Sequence, residues 1–365
     1  MKEYDVVVIG GGHAGCEAAF AAARVGADVL LITLNMDHIA QMSCNPAVGG
    51  IAKGQVVREI DAMGGAQGLV TDAASIQFRM LNRTKGPAVW SPRSQCDKVV
   101  YQRAMKLLLE ETPNLDILQA EVTGFLVENG RITGVENQFG DRIPCRAVVV
   151  TTGTFLNGKL HYGMRNFPGG RAGDFPSNAL STALSGQLGL RIGRLKTGTP
   201  PRILAKTIDF SRMKLQEAEG QEEEFCCWSR EQLPPLPHAR RHDMPCHQVY
   251  STEETAQIVR DNIQFSPMYQ GVIKGIGTRY CPSFEDKVVR FPQHPVHNGR
   301  LLVQSAAEAQ AQAGIAHAVG ELHNLPQAGP LAVAHSLDGG AVDEEIVVFR
   351  LAVFLQHLLE VFRVP

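Results

Sequence analysis

The chain of 365 residues is 44 % hydrophobic and 20 % charged, the balance of a folded globular protein, which excludes a chain that is mostly disordered. At roughly 150 residues per domain its length corresponds to about two domains, so a single small module is excluded as well. With 35 basic against 37 acidic side chains the formal charge is −2, and no global field draws the chain to nucleic acid or an anionic membrane; such a contact needs a local patch.

Val6-Val7-Val8-Ile9 is a continuous β-branched run, the pattern of a strand buried on both faces of a parallel sheet. Gly10-Gly11-Gly12-His13-Ala14-Gly15 follows at once, then an alanine-rich helical stretch from Cys16 to Val25 that stops at Gly26. A second apolar strand, Val29 to Ile32, completes a β-α-β unit. Gly10, Gly12 and Gly15 thus satisfy G-x-G-x-x-G between a strand and a helix. In that setting the tight turn, the close backbone approach and the free helix N–H groups serve a dinucleotide pyrophosphate. The bland alternative is a purely structural glycine turn. The acidic residue that grips a ribose at the end of the second strand is replaced by Thr33, with Asn35 and Asp37 beyond, which weighs against NAD at this turn more than against FAD.

Gln41 to Gly50 is a loop of turn formers opening into a helix predicted from Ile51 to Met63. Cys44 therefore stands shortly before a helix N-terminus, where a thiolate is stabilised; a small buried hydrophobe is the equal alternative. Thr84 to Gln95 and Arg191 to Arg202 read as two basic loops rich in glycine and proline, suited to phosphate contact or simply to solvent. An amphipathic helix follows the first of them, to Leu109. Ile117-Leu118, Val122 to Val127, Ile132 to Val135 and Ala147 to Val150 are predicted strands, with Asn129-Gly130 as a hairpin turn and Thr151-Thr152-Gly153-Thr154 closing the last. The acidic run from Gln216 to Glu224 reads as a solvated segment. His238, His242, Cys246 and His247 have ligand-like spacing, but Pro245 and the prolines before His238 favour a loop, so no metal site is predicted.

Eight cysteines without a C-x-x-C pair suggest reduced thiols, and Met1 to Asp5 run directly into a strand pattern with no space for a leader. No apolar run reaches the roughly 18 residues of a membrane span. The expectation is a cytoplasmic protein with no membrane contact.

The first strand with its glycine turn, Gln41-Met42-Ser43-Cys44-Asn45-Pro46, Gly86-Pro87-Ala88-Val89, Gly169-Gly170-Arg171-Ala172-Gly173-Asp174, Gly193 to Pro201 and Arg279-Tyr280-Cys281-Pro282-Ser283 together resemble the MnmG (GidA) family over residues 1 to 298. The resemblance implies an FAD-dependent tRNA-modifying enzyme acting with the GTPase MnmE on the wobble uridine. It places an aminomethyl or carboxymethylaminomethyl group on the uracil ring, with methylene-tetrahydrofolate as one-carbon donor and NADH as reductant of FAD. It also implies a homodimer. Residue by residue, it implies FAD contacts at Gly10, Gly11, Gly12, His13, Ala14, Gly15, Val122 and Ser177. It implies NAD contacts along Gly277, Thr278, Arg279, Tyr280, Cys281, Pro282, Ser283, Phe284, Glu285, Asp286, Lys287, Val288, Val289, Arg290 and Phe291. Cys281 and Cys44 match the two cysteines tied to activity, with Cys281 the preferred main thiol. A thiolate adding to uracil activates the neighbouring ring carbon, which gives such a protein a reason to carry thiols.

The implied fold class is α/β: a Rossmann-like FAD-binding domain, with a parallel sheet and β-meander, carrying an inserted α+β domain. The expected division is 1–200, an inserted domain at 201–275, a return segment at 276–298, and an atypical tail at 299–365. That tail departs from the family pattern, as after a change of reading frame or in a lineage-specific extension, and the departure removes part of the family's flavin wall, so weak or absent FAD retention, and with it loss of activity, is the expectation for these 365 residues alone. Helices are predicted within it at Gln304 to Val319 and Ile346 to Val361. A general FAD oxidoreductase of small molecules and a non-catalytic nucleotide-binding remnant are the alternatives.

Overall fold

The computed structural model describes residues 2–199, 204–219, 224–227, 235–239, 244–249, 252–277 and 283–290, with two strands at 301–304 and 333–338. The chain opens with β1 (Tyr4–Ile9), α1 (His13–Arg24) and β2 (Val29–Thr33). It continues through β3 (Ala47–Gly49), α2 (Lys53–Ala62), α3 (Ala66–Ala74), β4 (Ser75–Leu81), β5 (Ser91–Cys96) and α4 (Lys98–Glu110). Next come β6 (Leu115–Gln119), β7 (Val122–Glu128), β8 (Arg131–Asn137) and β9 (Arg142–Val150).

The main sheet has six strands in the order β6-β2-β1-β9-β8-β7. β1 runs parallel to both β2 and β9, with Val8 level with Leu31 on one side and Val149 on the other. β7, β8 and β9 form the antiparallel meander read from the sequence, turning at Asn129 (φ 51°) and Gly130 (φ 75°), the pair of left-handed conformations that a two-residue hairpin requires. Strand alternation divides two cores. Val6, Val8 and Leu31 face Phe20, Tyr101 and Met105 under the helices, whereas Val7, Ile9 and Ile32 face Phe125, Leu180 and Leu184. α4 is anchored by Asp97, whose side chain accepts from the Val99 and Val100 N–H groups, and it buries Tyr101, Ala104, Met105, Leu108 and Leu109 at helical spacing.

The remaining elements are β10 (Lys159–Tyr162), β11 (Arg165–Pro168), α5 (Asn178–Gly186), β12 (Arg194–Thr199), β13 (Lys214–Gln216) and β14 (Cys246–Val249). They are followed by α6 (Glu253–Asp261), β15 (Ile276–Gly277), α7 (Phe284–Arg290), β16 (Leu301–Gln304) and β17 (Val333–Asp338). Among the described residues three smaller sheets result: β11-β10-β17-β12-β15, β13-β14-β16 and β3-β5-β4.

Several expectations need correction. Both stretches read as basic loops contain strands: β5 lies in the first and β12 in the second. Pro92 is tolerated in β5 because β3 pairs only with Arg93, Ser94 and Gln95, so the residue without an N–H lies past the end of that ladder. Gln304 ends a strand rather than starting a helix; the apolar run Leu301-Leu302-Val303 is too short to distinguish the two by pattern, and pairing with β14 decides it. Residues 305–319 and 346–361 lie outside the described residues. The acidic run is not all solvated. Glu219 pairs with Arg79 at 2.9 Å and Arg83 at 3.3 Å, and accepts from the Met80 N–H at 2.9 Å. Phe225 is fully buried in the main core, edge-on to Phe78 at 5.7 Å. The described parts of 201–275 therefore include segments packed onto β4 and α3.

Candidate functional site

The parallel strands end together at Ile9, Thr33, Gln119 and Val150, and strand order reverses between β2 and β9 on either side of β1, the switch point where such sheets bind ligands. The glycine turn stands there. Gly10 has φ 108°, and a Cβ on it would run into the Thr151 carbonyl; one on Gly15 would run into the Gly10 carbonyl, so α1 starts hard against the strand end. Gly12 is different: a Cβ there meets nothing within 4 Å. It occupies the N-cap of α1, with no side-chain cap and no acidic residue in the first turn, which leaves the helix N-terminus to an external anion. One glycine shapes the turn, one packs, and one opens space, so these residues fit a dinucleotide pyrophosphate. His13 and Ala14 are half-buried in the first turn, with His13 5.5 Å from the Tyr101 ring.

Around the turn, Thr151 Oγ1 donates to the Ile9 and Gly10 carbonyls at 2.9 and 3.0 Å, fixing β9 to the glycine loop. Thr33 Oγ1 lies 3.4 Å from the Asn35 carbonyl, and Asp37 pairs with Lys106 at 3.1 Å. Val122 is buried at the start of β7, beside that sheet end. Ser177 precedes α5 and donates to Glu121 Oε1 at 3.2 Å, so the two more distant contacts implied by the resemblance are brought together.

Sequence reasoning missed the grip on the Gly169–Asp174 loop. Asp174 accepts from Arg171 Nε at 2.6 Å and meets His38 Nδ1 at 2.9 Å. Two residues after His38, the Ala40 N–H donates to the Gly11 carbonyl at 2.8 Å, so this loop is tied to the glycine turn. The only sequence signal was the motif itself; nothing local pointed to His38.

Cys44 does not lie just before a helix N-terminus. β3 and a turn intervene before Lys53, because the loop pairs with β5 instead of entering α2 directly. Its Sγ lies 3.6 Å from the Gly198 carbonyl on β12, two residues from the buried Lys196. Of the stretch 277–291, Gly277 ends β15 beside Lys196 of β12, and Ser283 opens α7. Asp286 accepts from Ser283 Oγ at 3.2 Å and Tyr269 OH at 3.3 Å, while Glu285 lies 3.4 Å from Ser266 Oγ. Phe284, Lys287, Val288, Val289 and Arg290 complete α7. Thr278, Arg279, Tyr280, Cys281, Pro282 and Phe291 lie outside the described residues, as does His242.

Burial sets the titration near the turn. It lowers His13 to about 4 and raises Glu17, one helical turn on, to about 7. Glu17 accepts from the Ala66 and Gln67 N–H groups at 2.9 and 2.5 Å, capping α3 from below. Cys16 is buried and its thiol is pushed far up, which makes it inert. Cys246 bonds Gln77 Oε1 at 3.1 Å, and His247, on the next position of β14, packs against Phe210; no metal-binding group of three or more such side chains gathers among the described residues. Among the described residues no helix is long and apolar enough to cross a membrane.

A parallel sheet with a glycine turn at its switch point and a β-meander returning to it defines a dinucleotide-binding protein of the Rossmann-like, FAD-binding class. Residues 5–315 match the family described as Glucose inhibited division protein A, and the chain belongs to this GidA (MnmG) family. It is 55 % identical over 294 residues to the tRNA uridine 5-carboxymethylaminomethyl modification enzyme MnmG of Protochlamydia amoebophila, covering 80 % of this chain and 46 % of that protein. It is 51 % identical over 306 residues to the MnmG of Geobacter sulfurreducens, covering 82 % of this chain and 47 % of that one. The chain thus spans about half the length of these relatives. Two crystal forms of Aquifex aeolicus GidA superpose with TM-scores of 0.75 and 0.76 at 40 % and 41 % identity, over 92 % of this chain and 55 % and 58 % of theirs. The fold class expected from the sequence is borne out.

Proposed function

We propose that this chain carries the FAD site and both reactive thiols of a tRNA wobble-uridine modifying enzyme. The observation that carries the reading is the open face of Gly12 at an uncapped helix N-terminus, in a chain more than half identical to a named MnmG over most of its length. In this reading Gly10 to Gly15 hold the FAD pyrophosphate, the backbone at Val122 and Ser177 adds contacts, and 277–291 meets NADH. FAD, when bound, supplies the redox chemistry by which the transferred one-carbon unit is brought to its final oxidation level. Cys281 is the nucleophile that adds to the uracil ring, and Cys44, held against β12, is the second thiol, positioned to give or take a proton at the ring. The one-carbon unit comes from methylene-tetrahydrofolate, and the GTPase MnmE and tRNA are the partners of a cytoplasmic homodimer.

The test is complementation of a bacterial strain lacking the wobble modification, with nucleoside analysis of its tRNA, beside equilibrium titration of the purified chain with FAD. FAD binding that disappears when Gly12 is enlarged supports the site. A chain that neither binds FAD nor, joined to the remaining half of a relative, restores the modified nucleoside refutes the proposal.

A further inference from the structure

Lys196 is a buried cation without a counter-charge. It is the third residue of β12, is only 4 % exposed, and among the described residues its ammonium makes no ion pair or hydrogen bond. The nearby cations differ: Arg194, two residues before it, donates to the Asn157 carbonyl at 3.2 Å, and Lys159 has partners as well. Nor is the ammonium sealed. The wholly enclosed polar atoms without a partner include His161 Nδ1 but not Lys196 Nζ, so the lysine keeps a small opening at its charged end. An ammonium taken out of water with nothing to offset its lost hydration lowers stability, and a ligand that brings the missing acceptor removes that cost.

The surroundings of Lys196 are those of the proposed chemistry. Arg194, Lys196 and Gly198 alternate along β12 and so share one face of the sheet. Gly198 has no side chain, which leaves the position beyond Lys196 unfilled by β12 itself, and its carbonyl is the one that meets Cys44 Sγ at 3.6 Å. Residues two apart on a strand are separated by about 6.6 Å, within the reach of a lysine side chain. β12 also pairs with β15, where Lys196 is level with Gly277, four residues before Cys281 in the sequence. Lys196 thus stands on the strand that one thiol touches and that pairs with the segment leading to the other.

Such an enclosure selects a small planar acceptor. A phosphodiester lies on the outside of an RNA within its own hydration, whereas the edge of an unstacked base enters a narrow slot. When a thiolate adds to uracil, its sulfur bonds one ring carbon, and the electron pair of the ring double bond moves through the neighbouring carbon onto a carbonyl oxygen as an enolate. That neighbouring carbon then bonds the one-carbon unit from methylene-tetrahydrofolate. Loss of its proton to a base, and of the sulfur as thiolate, restores the double bond. The carbonyl oxygen is most negative between these events, and a fixed ammonium acts there.

We propose that Lys196 is a catalytic residue of the uridine modification, its ammonium donating to the uracil carbonyl oxygen that bears the enolate charge, an assignment that rests on the function proposed above.

The experiment measures binding of two anticodon stem-loop RNAs to the 365-residue chain by fluorescence anisotropy. One carries uridine at the wobble position; the other carries 6-hydroxyuridine, a barbiturate whose ring oxygens are negatively charged at neutral pH. The parent chain should bind the charged base at least about ten-fold more tightly. Lys196→Met should abolish that preference and leave the uridine RNA within about two-fold, whereas Lys196→Arg should keep most of it. Methionine has a similar length and no charge, so Lys196→Met should also raise the urea midpoint. A preference that is absent from the parent, or that survives Lys196→Met, overturns the assignment and leaves the proposed function to its own complementation test. A lower urea midpoint for Lys196→Met overturns it too, because the lysine then serves the fold. If neither RNA binds, the assignment falls together with the reading beneath it.

Discussion

Gly15 is packed onto the carbonyl of Gly10 so closely that even one methyl group on it would collide there and also approach Thr151 Oγ1 to 2.7 Å. The first turn of α1 and the end of β1 are therefore a single unit that no other residue type can build. Gly15→Ala should cost about 3 kcal/mol by overpacking against backbone, whereas Gly12→Ala, whose new Cβ meets nothing within 4 Å, should change stability by less than about 1 kcal/mol. Urea unfolding distinguishes them. Gly12→Val should leave the fold intact and weaken FAD by about ten-fold or more, read by flavin fluorescence.

Glu17 and His13 act in opposite senses on the pH dependence of stability. Burial sets Glu17 at about 7. Its unfolded value is about 4.3, so between the two the folded state holds more protons, and its contribution falls as pH rises through that window. His13, at about 4, lies below its unfolded value of about 6.5, so its contribution is lost as pH falls from the upper value to the lower. The two slopes oppose each other in the native chain. Glu17→Gln should remove the first and leave stability rising from pH 5 to 7, at an overall cost because its amide nitrogen faces one of the two N–H groups that the carboxylate accepts from, measured by urea midpoints.

Asp174 is shared by Arg171 and His38, and both sides of Asp174 and Arg171 are largely shielded from water. Asp174→Asn should cost about 2 kcal/mol by weakening charge-assisted hydrogen bonds, and it should loosen the loop beside the glycine turn. Proteolysis within 169–175 should be faster in the variant; an unchanged rate would count against this bracing role.

Phe225 enters the main core from a segment far along the chain. Phe225→Ala should cost about 3–5 kcal/mol, as for a wholly buried aromatic ring, and the loss should appear in the single unfolding transition of the main sheet. A separate low-temperature transition would instead mean that this segment folds apart from the core.

Cys44→Ser keeps a donor facing the Gly198 carbonyl, so stability should move by less than about 1 kcal/mol. Under the proposed function the wobble modification should fall by about 100-fold or more, since a serine hydroxyl does not replace a thiol in proton or nucleophile chemistry. Nucleoside analysis of complemented cells measures it.

What the sequence by itself determined is what lies within one or two elements. The β-branched run Val6–Ile9, the glycine spacing, the Asn129-Gly130 turn and the helical spacing of Tyr101, Met105 and Leu108 each encode their structure through local sterics and periodicity, and the dinucleotide turn was legible for that reason. Tertiary structure alone decided the pairings across the chain. His38 meets Asp174 136 positions away, Cys44 meets Gly198 154 positions away, and a proline-containing stretch becomes the middle strand of a sheet. A side chain's pattern states which face is apolar but not which distant segment will cover it, so the partners of a loop, and the enclosure of Lys196 on β12, arise only when the chain closes on itself.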